Sequence, residues 1–272
     1  MMQKIKSLIT GIIPKKYYPQ FMEMYTKCRY LFLFPLYVGS KFKCPFCGGH
    51  FRKFLPAGLD LPVLREKHIV GVGYRLNAIC PCCNSTDRER LIYLYLKHKT
   101  NFFHETLKVL HVAPEMNLQK VLKSCPNINY ISADIDSLLA MVKMDITNIG
   151  YGDNSFDFII YNHVLEHIPD DKNAMSELYR VLKSGGGAIL QVPISLLLNK
   201  TYEDPTVVTP EKREILFGQN DYVRIYAKDY KDRLESVGFS VEVYSTKEFG
   251  ESFIHKYRLL KNENIYICSK QE

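Results

Sequence analysis

Two pairs of cysteines carry the plainest chemistry in this chain. Cys44-Pro-Phe-Cys47 runs into Gly48-Gly49, and Cys80-Pro-Cys-Cys83 runs into Asn84-Ser85. Each pair puts two thiolates on one tight turn, and the glycine or asparagine after it lets backbone amides point at the sulfurs. Two such turns supply the four soft ligands of a tetrahedral Zn2+, so Cys44, Cys47, Cys80 and Cys83 are the expected metal ligands. Four protein ligands leave no open position, which makes the expected metal structural rather than catalytic. The 32 residues between Cys47 and Cys80 exceed the usual ribbon spacing. Within them, residues 51–55 read as a strand-like piece of a hairpin. Cys82 competes with Cys83 for the fourth place, and His50 is a further candidate ligand. With no secretory signal visible, paired spacing argues for metal rather than disulfides.

A second group of polar residues sits at the ends of short apolar runs. The runs cover residues 107–112, 128–133, a short piece at 143–146, 156–161, 188–192, 239–244 and 264–268. The fifth is entered through a turn at Gly185-Gly186-Gly187. Helical spacing marks residues 85–98 (Leu91, Leu94, Tyr95), 171–182 (Ala174, Leu178, Val181, Leu182) and 228–237, closed by Gly238. Such alternation is the pattern of an α/β fold, a parallel sheet with helices on both faces. The first run ends in His111-Val112-Ala113-Pro114-Glu115-Met116-Asn117. Asp134 closes the second, 21 residues after Ala113. A carboxylate there can accept from both hydroxyls of a ribose, and Asp145 after the third run can accept from an adenine amino group. The fourth run ends in Asn162-His163, followed by Leu165-Glu166-His167.

Three linked blocks carry a resemblance: Asp153-Asn154-Ser155-Phe156-Asp157, the run from Asn162 to Ile168, and Leu178-Tyr179-Arg180-Val181-Leu182-Lys183-Ser184-Gly185-Gly186-Gly187. Together they resemble the class I S-adenosylmethionine-dependent methyltransferases of the type 11 branch, well over residues 107–192 and more loosely to the end. The resemblance implies a Rossmann-like, seven-stranded, mostly parallel sheet of order 3-2-1-4-5-7-6, its last strand antiparallel, behind a small zinc-ribbon-like module. It implies that Asp134, with Ile135 beside it, binds the cofactor ribose and that Asp145 and Ile146 frame the adenine. Asn162 and His163 would line the methionine end and the methyl-transfer mouth. The chain departs from the family at its first turn. His111 stands where an acid is usual, and Ala113, Glu115 and Asn117 stand where glycines alternate. Ala113 is small enough for close approach, Asn117 tolerates positive φ, and Glu115 would supply the carboxylate for the methionine ammonium. For an acceptor that loses a proton, His163 and Glu166 are the candidate catalytic groups and His167 a third; Glu166 and His167 also suit capping a helix. Residues 194–226, with Tyr202, Glu203, Arg213 and Arg224, are expected to build the acceptor side as a long polar loop.

The regions divide at residues 1–40, 41–100 and 101–272. Residues 1–43 hold eight Lys/Arg against the single acid Glu23, so the chain's whole net charge of +7 lies there. This basic, aromatic-rich arm suits an anionic membrane surface, an RNA or an acidic partner, and equally a helix packed on its own domain with solvated lysines. With no run long enough to span a bilayer, the expected location is cytoplasmic, peripheral to the inner membrane surface if the arm binds lipid. The expected acceptor is a small polar molecule, a sugar or glycan hydroxyl. An RNA base, read by a zinc-ribbon-bearing rRNA methyltransferase, is a second reading. A non-catalytic zinc scaffold with a degenerate cofactor pocket is a third.

Overall fold

The structure is a computed structural model that describes residues 17–271. Lys4, Lys6, Lys15 and Lys16 of the basic arm lie outside the described residues. Helix α1 (Tyr18–Tyr37) takes Pro19 in its first turn, where a missing amide costs nothing. Its inner side packs on the cysteine module: the Tyr30 and Phe51 rings meet edge-on at 6.3 Å, and Asn84 Nδ2 donates to Thr26 Oγ1 at 2.9 Å. The strand-like piece expected at 51–55 is split. His50–Phe51 pairs with Val38–Lys43, whereas Leu55–Ala57 pairs with Arg75–Ile79. The break follows from burying both Phe51 and Phe54, with the Phe54 amide donating to Asn77 Oδ1.

Helix α2 (Asp87–Lys99) begins where Thr86 Oγ1 accepts from the Glu89 amide. Its Arg90 is fully buried and donates to four carbonyls: Ser85, Ala78, Tyr257 and Arg258. The first two belong to the cysteine module and the last two to the C-terminal part of the chain. One guanidinium therefore ties the two together.

The apolar runs pair into one seven-stranded sheet: β1 (Leu107–Val112), β2 (Ile128–Asp134), β3 (Val142–Lys143), β4 (Phe156–Asn162), β5 (Leu182–Gln191), β6 (Ser240–Ser245) and β7 (Asn264–Ser269). Across the sheet they run β6-β7-β5-β4-β1-β2-β3, with β7 antiparallel to both neighbours. Period-two alternation sends neighbouring residues to opposite faces. Leu110, Ile159 and Ala188 pack under α4 (Asp171–Val181) and α6 (Tyr230–Glu235). Val109, Ile160 and Ile189 pack under α2 and α3 (Met116–Ser124).

Three expectations need correction. The third strand ends at Lys143 rather than running from 143 to 146, because the Thr147 amide and hydroxyl donate to Asp145 Oδ1 and turn the chain. The triple glycine is a bulge inside β5, not a turn before it; pairing jumps from Leu182–Phe156 to Gly187–Phe158. A Cβ on Gly187 would stand 2.9 Å from the Phe158 ring. The helix expected at 228–237 starts only at Tyr230, because the Asp229 carboxylate accepts from Thr201 instead of extending a cap.

Residues 194–226 are folded rather than a loop. Ile194–Ser195 pairs with Ile69–Val70 and Tyr202–Glu203 with Arg224–Ile225, around helix α5 (Pro210–Phe217). Phe217, Tyr222 and Ile225 share a small core with Val63, Leu64, Ile69 and Val72 from between the cysteine pairs.

Replacing Arg90 with Met would leave four carbonyls, those of Ser85 and Ala78 in buried bonds, without their donor. We expect a loss of about 3 kcal/mol or more, read from the chemical-denaturation midpoint. A variant as stable as wild type would contradict the tie.

Candidate functional site

The two cysteine turns are built alike. The amides of Cys44 and Gly48 donate to Gly49 and Cys44 carbonyls, and those of Cys80 and Asn84 to Ser85 and Cys80 carbonyls. Gly48 (φ +71°) and Asn84 (φ +61°) hold the left-handed conformation that each turn needs. The sulfurs of Cys44, Cys47, Cys80 and Cys83 all lie within 4.8 Å of one another. The Cys44–Cys83 pair is 3.5 Å apart and the Cys47–Cys80 pair 3.8 Å. Four sulfurs around one Zn2+ would stand about 3.8 Å apart, so the donor set and its spacing fit that ion. Cys82 and His50 are not in the cluster. Ser85, fully buried, places Oγ 3.3 Å from Cys44 Sγ and 3.4 Å from Cys83 Sγ. That supporting hydroxyl was not singled out in the sequence.

The chain ends of the sheet gather a second set. Ala113, Asp134, Ile135, Asp145 and Ile146 line one cavity with Val164 and Ile168. Ala113 sits at φ +49°, so the residue in a glycine's place adopts a glycine's conformation. Asp134 Oδ1 accepts from the Asp136 and Ser137 amides, which fixes the loop at the cavity's edge. Asp145, expected to face an adenine, turns Oδ1 back onto Thr147. Asn117 does not take a positive φ. It lies in the first turn of α3, because that helix starts at Met116.

The turn without glycines is rebuilt around buried acids. His111 is fully buried, with Nδ1 2.9 Å from the Tyr130 hydroxyl and Nε2 2.9 Å from Glu115 Oε2. Burial keeps the Tyr130 phenol protonated, so its hydroxyl can donate to or accept from Nδ1, while Nε2–H donates to Glu115. Asn162 Nδ2 donates to the other Glu115 oxygen. Burial opposes Glu115 ionisation, but the His111 and Asn162 contacts outweigh it and hold the carboxyl below its usual range. Beneath it, Glu89 of α2 accepts from the amides of Asn117 and Leu118, both at 2.9 Å, and from Asn117 Nδ2 at 3.1 Å. Burial first, and the Glu115 charge second, push the Glu89 carboxyl up to about 7. Sequence reasoning missed Glu89, since Thr86-x-x-Glu89 reads as an ordinary start of helix α2. Its partners lie 28 and 29 residues downstream.

A third cluster lies after β4. His163, at φ +58°, stands with Nδ1 3.4 Å from Glu166 Oε1 and Nε2 3.8 Å from Glu263 Oε1. These separations are long for hydrogen bonds. Both His163 nitrogens, both Glu166 oxygens, Glu263 Oε2 and Asn162 Oδ1 are buried without a protein partner. Gly71 covers His163, the residue that the resemblance places at the methyl-transfer mouth. A Cβ on Gly71 would stand 2.9 Å from the imidazole, and only a residue at ease with φ +92° fits there. The long segment between the cysteine pairs therefore walls the cluster. Glu263 could not be found from sequence, because it lies just before β7 and carries no motif.

His167 points away from this cluster. Its Nδ1 lies 3.1 Å from Asp221 Oδ2, and its ring meets Tyr222 edge-on. The polar residues expected to meet an acceptor mostly hold the 194–226 segment in place. Arg224 is buried and donates to the Leu165 and Pro169 carbonyls and to Glu203, while Arg213 donates to the Val207 carbonyl.

Residues 101–190 match a family profile described as a methyltransferase domain. A sterol 24-C-methyltransferase of Yarrowia lipolytica is 29% identical over 132 residues, covering 47% of this chain and 33% of its own. A demethylmenaquinone methyltransferase of Staphylococcus epidermidis is 40% identical over 48 residues, 18% of this chain and 20% of its own. A ubiquinone/menaquinone biosynthesis C-methyltransferase of Idiomarina loihiensis is 23% identical over 143 residues, 48% and 53% respectively. The chain thus spans between a fifth and about half of the length of these relatives. The stretch that carries β1 to β5 and the acid-rich turn is similar to methyltransferase domains.

Proposed function

We propose that this chain transfers the methyl group of S-adenosylmethionine to an acceptor that gives up a proton. Glu89 carries the reading. A dinucleotide fold offers the free amides at the start of the helix after β1 to a pyrophosphate. Here a buried carboxylate already takes the amides of Asn117 and Leu118, and Glu115 adds a second acid beside it. A phosphate would face two acids at that point. A nucleoside bearing an ammonium and a sulfonium would be attracted.

Asp134 would hold the ribose, Ile135 and Ile146 the adenine, and Glu115 with Asn162 the methionine end. The cofactor, when bound, supplies an electrophilic methyl group. His163 would receive the proton that the acceptor sheds, with Glu166 and Glu263 neutralising the imidazolium. Gly71 lies against the imidazole, and the polar atoms of the cluster are buried. The acceptor expected from sequence, a hydroxyl on a small polar molecule, sheds such a proton. So does a carbon, the atom named for two of the relatives. We assign a structural Zn2+ to Cys44, Cys47, Cys80 and Cys83, on their sulfur spacing and closed donor set.

Three outcomes are expected. Asp134→Ala should weaken S-adenosylmethionine binding in equilibrium dialysis by about tenfold to a hundredfold, the worth of a charge-assisted hydrogen bond or two; unchanged retention would remove Asp134 from the site. Glu89 titrates near 7 when folded and near its ordinary value when unfolded. The unfolded chain therefore releases its proton first, and Glu89 costs stability progressively as pH rises from about 4.5 to about 7. Glu89→Gln, with a flipped Asn117 amide, should flatten the measured stability across that window; an unchanged pH profile would refute the assignment. Elemental analysis should find one zinc per chain, kept by Cys82→Ser and lost from Cys83→Ser.

A further inference from the structure

Helix α1 presents an apolar stripe to solvent. Tyr17 at its start, then Met24, Cys28, Leu31 and Pro35, recur at helical spacing on one side, with Phe32 beside them, and all are exposed. Leu31 is 71% and Phe32 83% exposed. The opposite side, through Thr26 and Tyr30, is already anchored on the cysteine module. The stripe is therefore an outward face of a docked helix.

Cations flank it. Arg52 and Lys53 are exposed at its C-terminal end, Arg52 donating to the Leu36 carbonyl and Lys53 lying over the Tyr37 ring. Lys41 is exposed nearby, and Lys4, Lys6, Lys15 and Lys16 precede the helix in sequence. No helix among the described residues is long and apolar enough to cross a membrane.

We propose that α1 lies in the plane of an anionic lipid surface, with Leu31 and Phe32 inserted between headgroups and the flanking lysines and arginines on the phosphates. An apolar stripe rimmed by positive charge is the arrangement that such a surface selects. RNA would use the cations but not the stripe, and a second copy of the chain would bring the same positive rim against itself. This placement is independent of the methyl-transfer reading.

The test is vesicle flotation of the zinc-loaded full chain. Vesicles of phosphatidylcholine mixed with phosphatidylglycerol should carry the protein up, and pure phosphatidylcholine should not. Added salt should weaken the association. The Leu31→Glu/Phe32→Glu double variant should lose binding by about tenfold or more at an unchanged thermal midpoint, since both side chains are exposed. Equal flotation of wild type and double variant would overturn the proposal. So would failure to float together with a dimer in sedimentation that the double variant abolishes, or together with salt-sensitive retention on RNA that the double variant keeps.

Discussion

A carboxylate buried on the first turn of helix α3 is the interaction on which the cofactor end depends. Helix N-termini leave amides unpaired, and folds of this class commonly spend them on a phosphate next to a glycine-rich turn. This chain lacks the glycines, and a carboxylate takes the amides of Asn117 and Leu118. Glu89 arrives from α2 and accepts from two amides at the helix start. Glu115 sits at the N-cap position of the same helix, and its side chain reaches both His111 and Asn162, so the ends of β1 and β4 are cross-linked through one acid. Ala113 alone retains the left-handed backbone of the lost glycines.

The residue after Glu89 joins the other half of the molecule. Arg90 binds carbonyls of the cysteine module and of the C-terminal segment, so adjacent positions on α2 anchor the turn after β1 and the cysteine module. The segment between the cysteine pairs then folds against residues 194–226 and sets Gly71 over His163. The four-cysteine cluster and the cluster around His163 are in this way parts of one structure.

The sheet was largely legible in the sequence, since each strand is a short apolar run and each chain-end polar group follows one directly. The cysteine turns were legible too, because their chemistry is local: two thiols, a proline and a left-handed residue. What escaped was non-local. Glu89 looks like an N-terminal helix residue, Glu263 like a solvated loop acid, and Gly71 like any turn glycine; each matters only through a partner far away in sequence. Asn117 was misplaced by carrying over a glycine's conformation onto a helix that begins one residue earlier. In the polar 194–226 segment, Arg224 and Tyr226 bond to backbone carbonyls and to a neighbouring acid far away in sequence, which no local pattern reveals.

The central claim is that the acid-lined turn selects a cationic nucleoside over a dinucleotide. Native mass spectrometry of the chain, with S-adenosylmethionine and NAD+ supplied together, tests it most directly. The account predicts one zinc and one S-adenosylmethionine per chain and no NAD+ adduct. An NAD+ adduct, or a chain that takes up neither molecule, would contradict it.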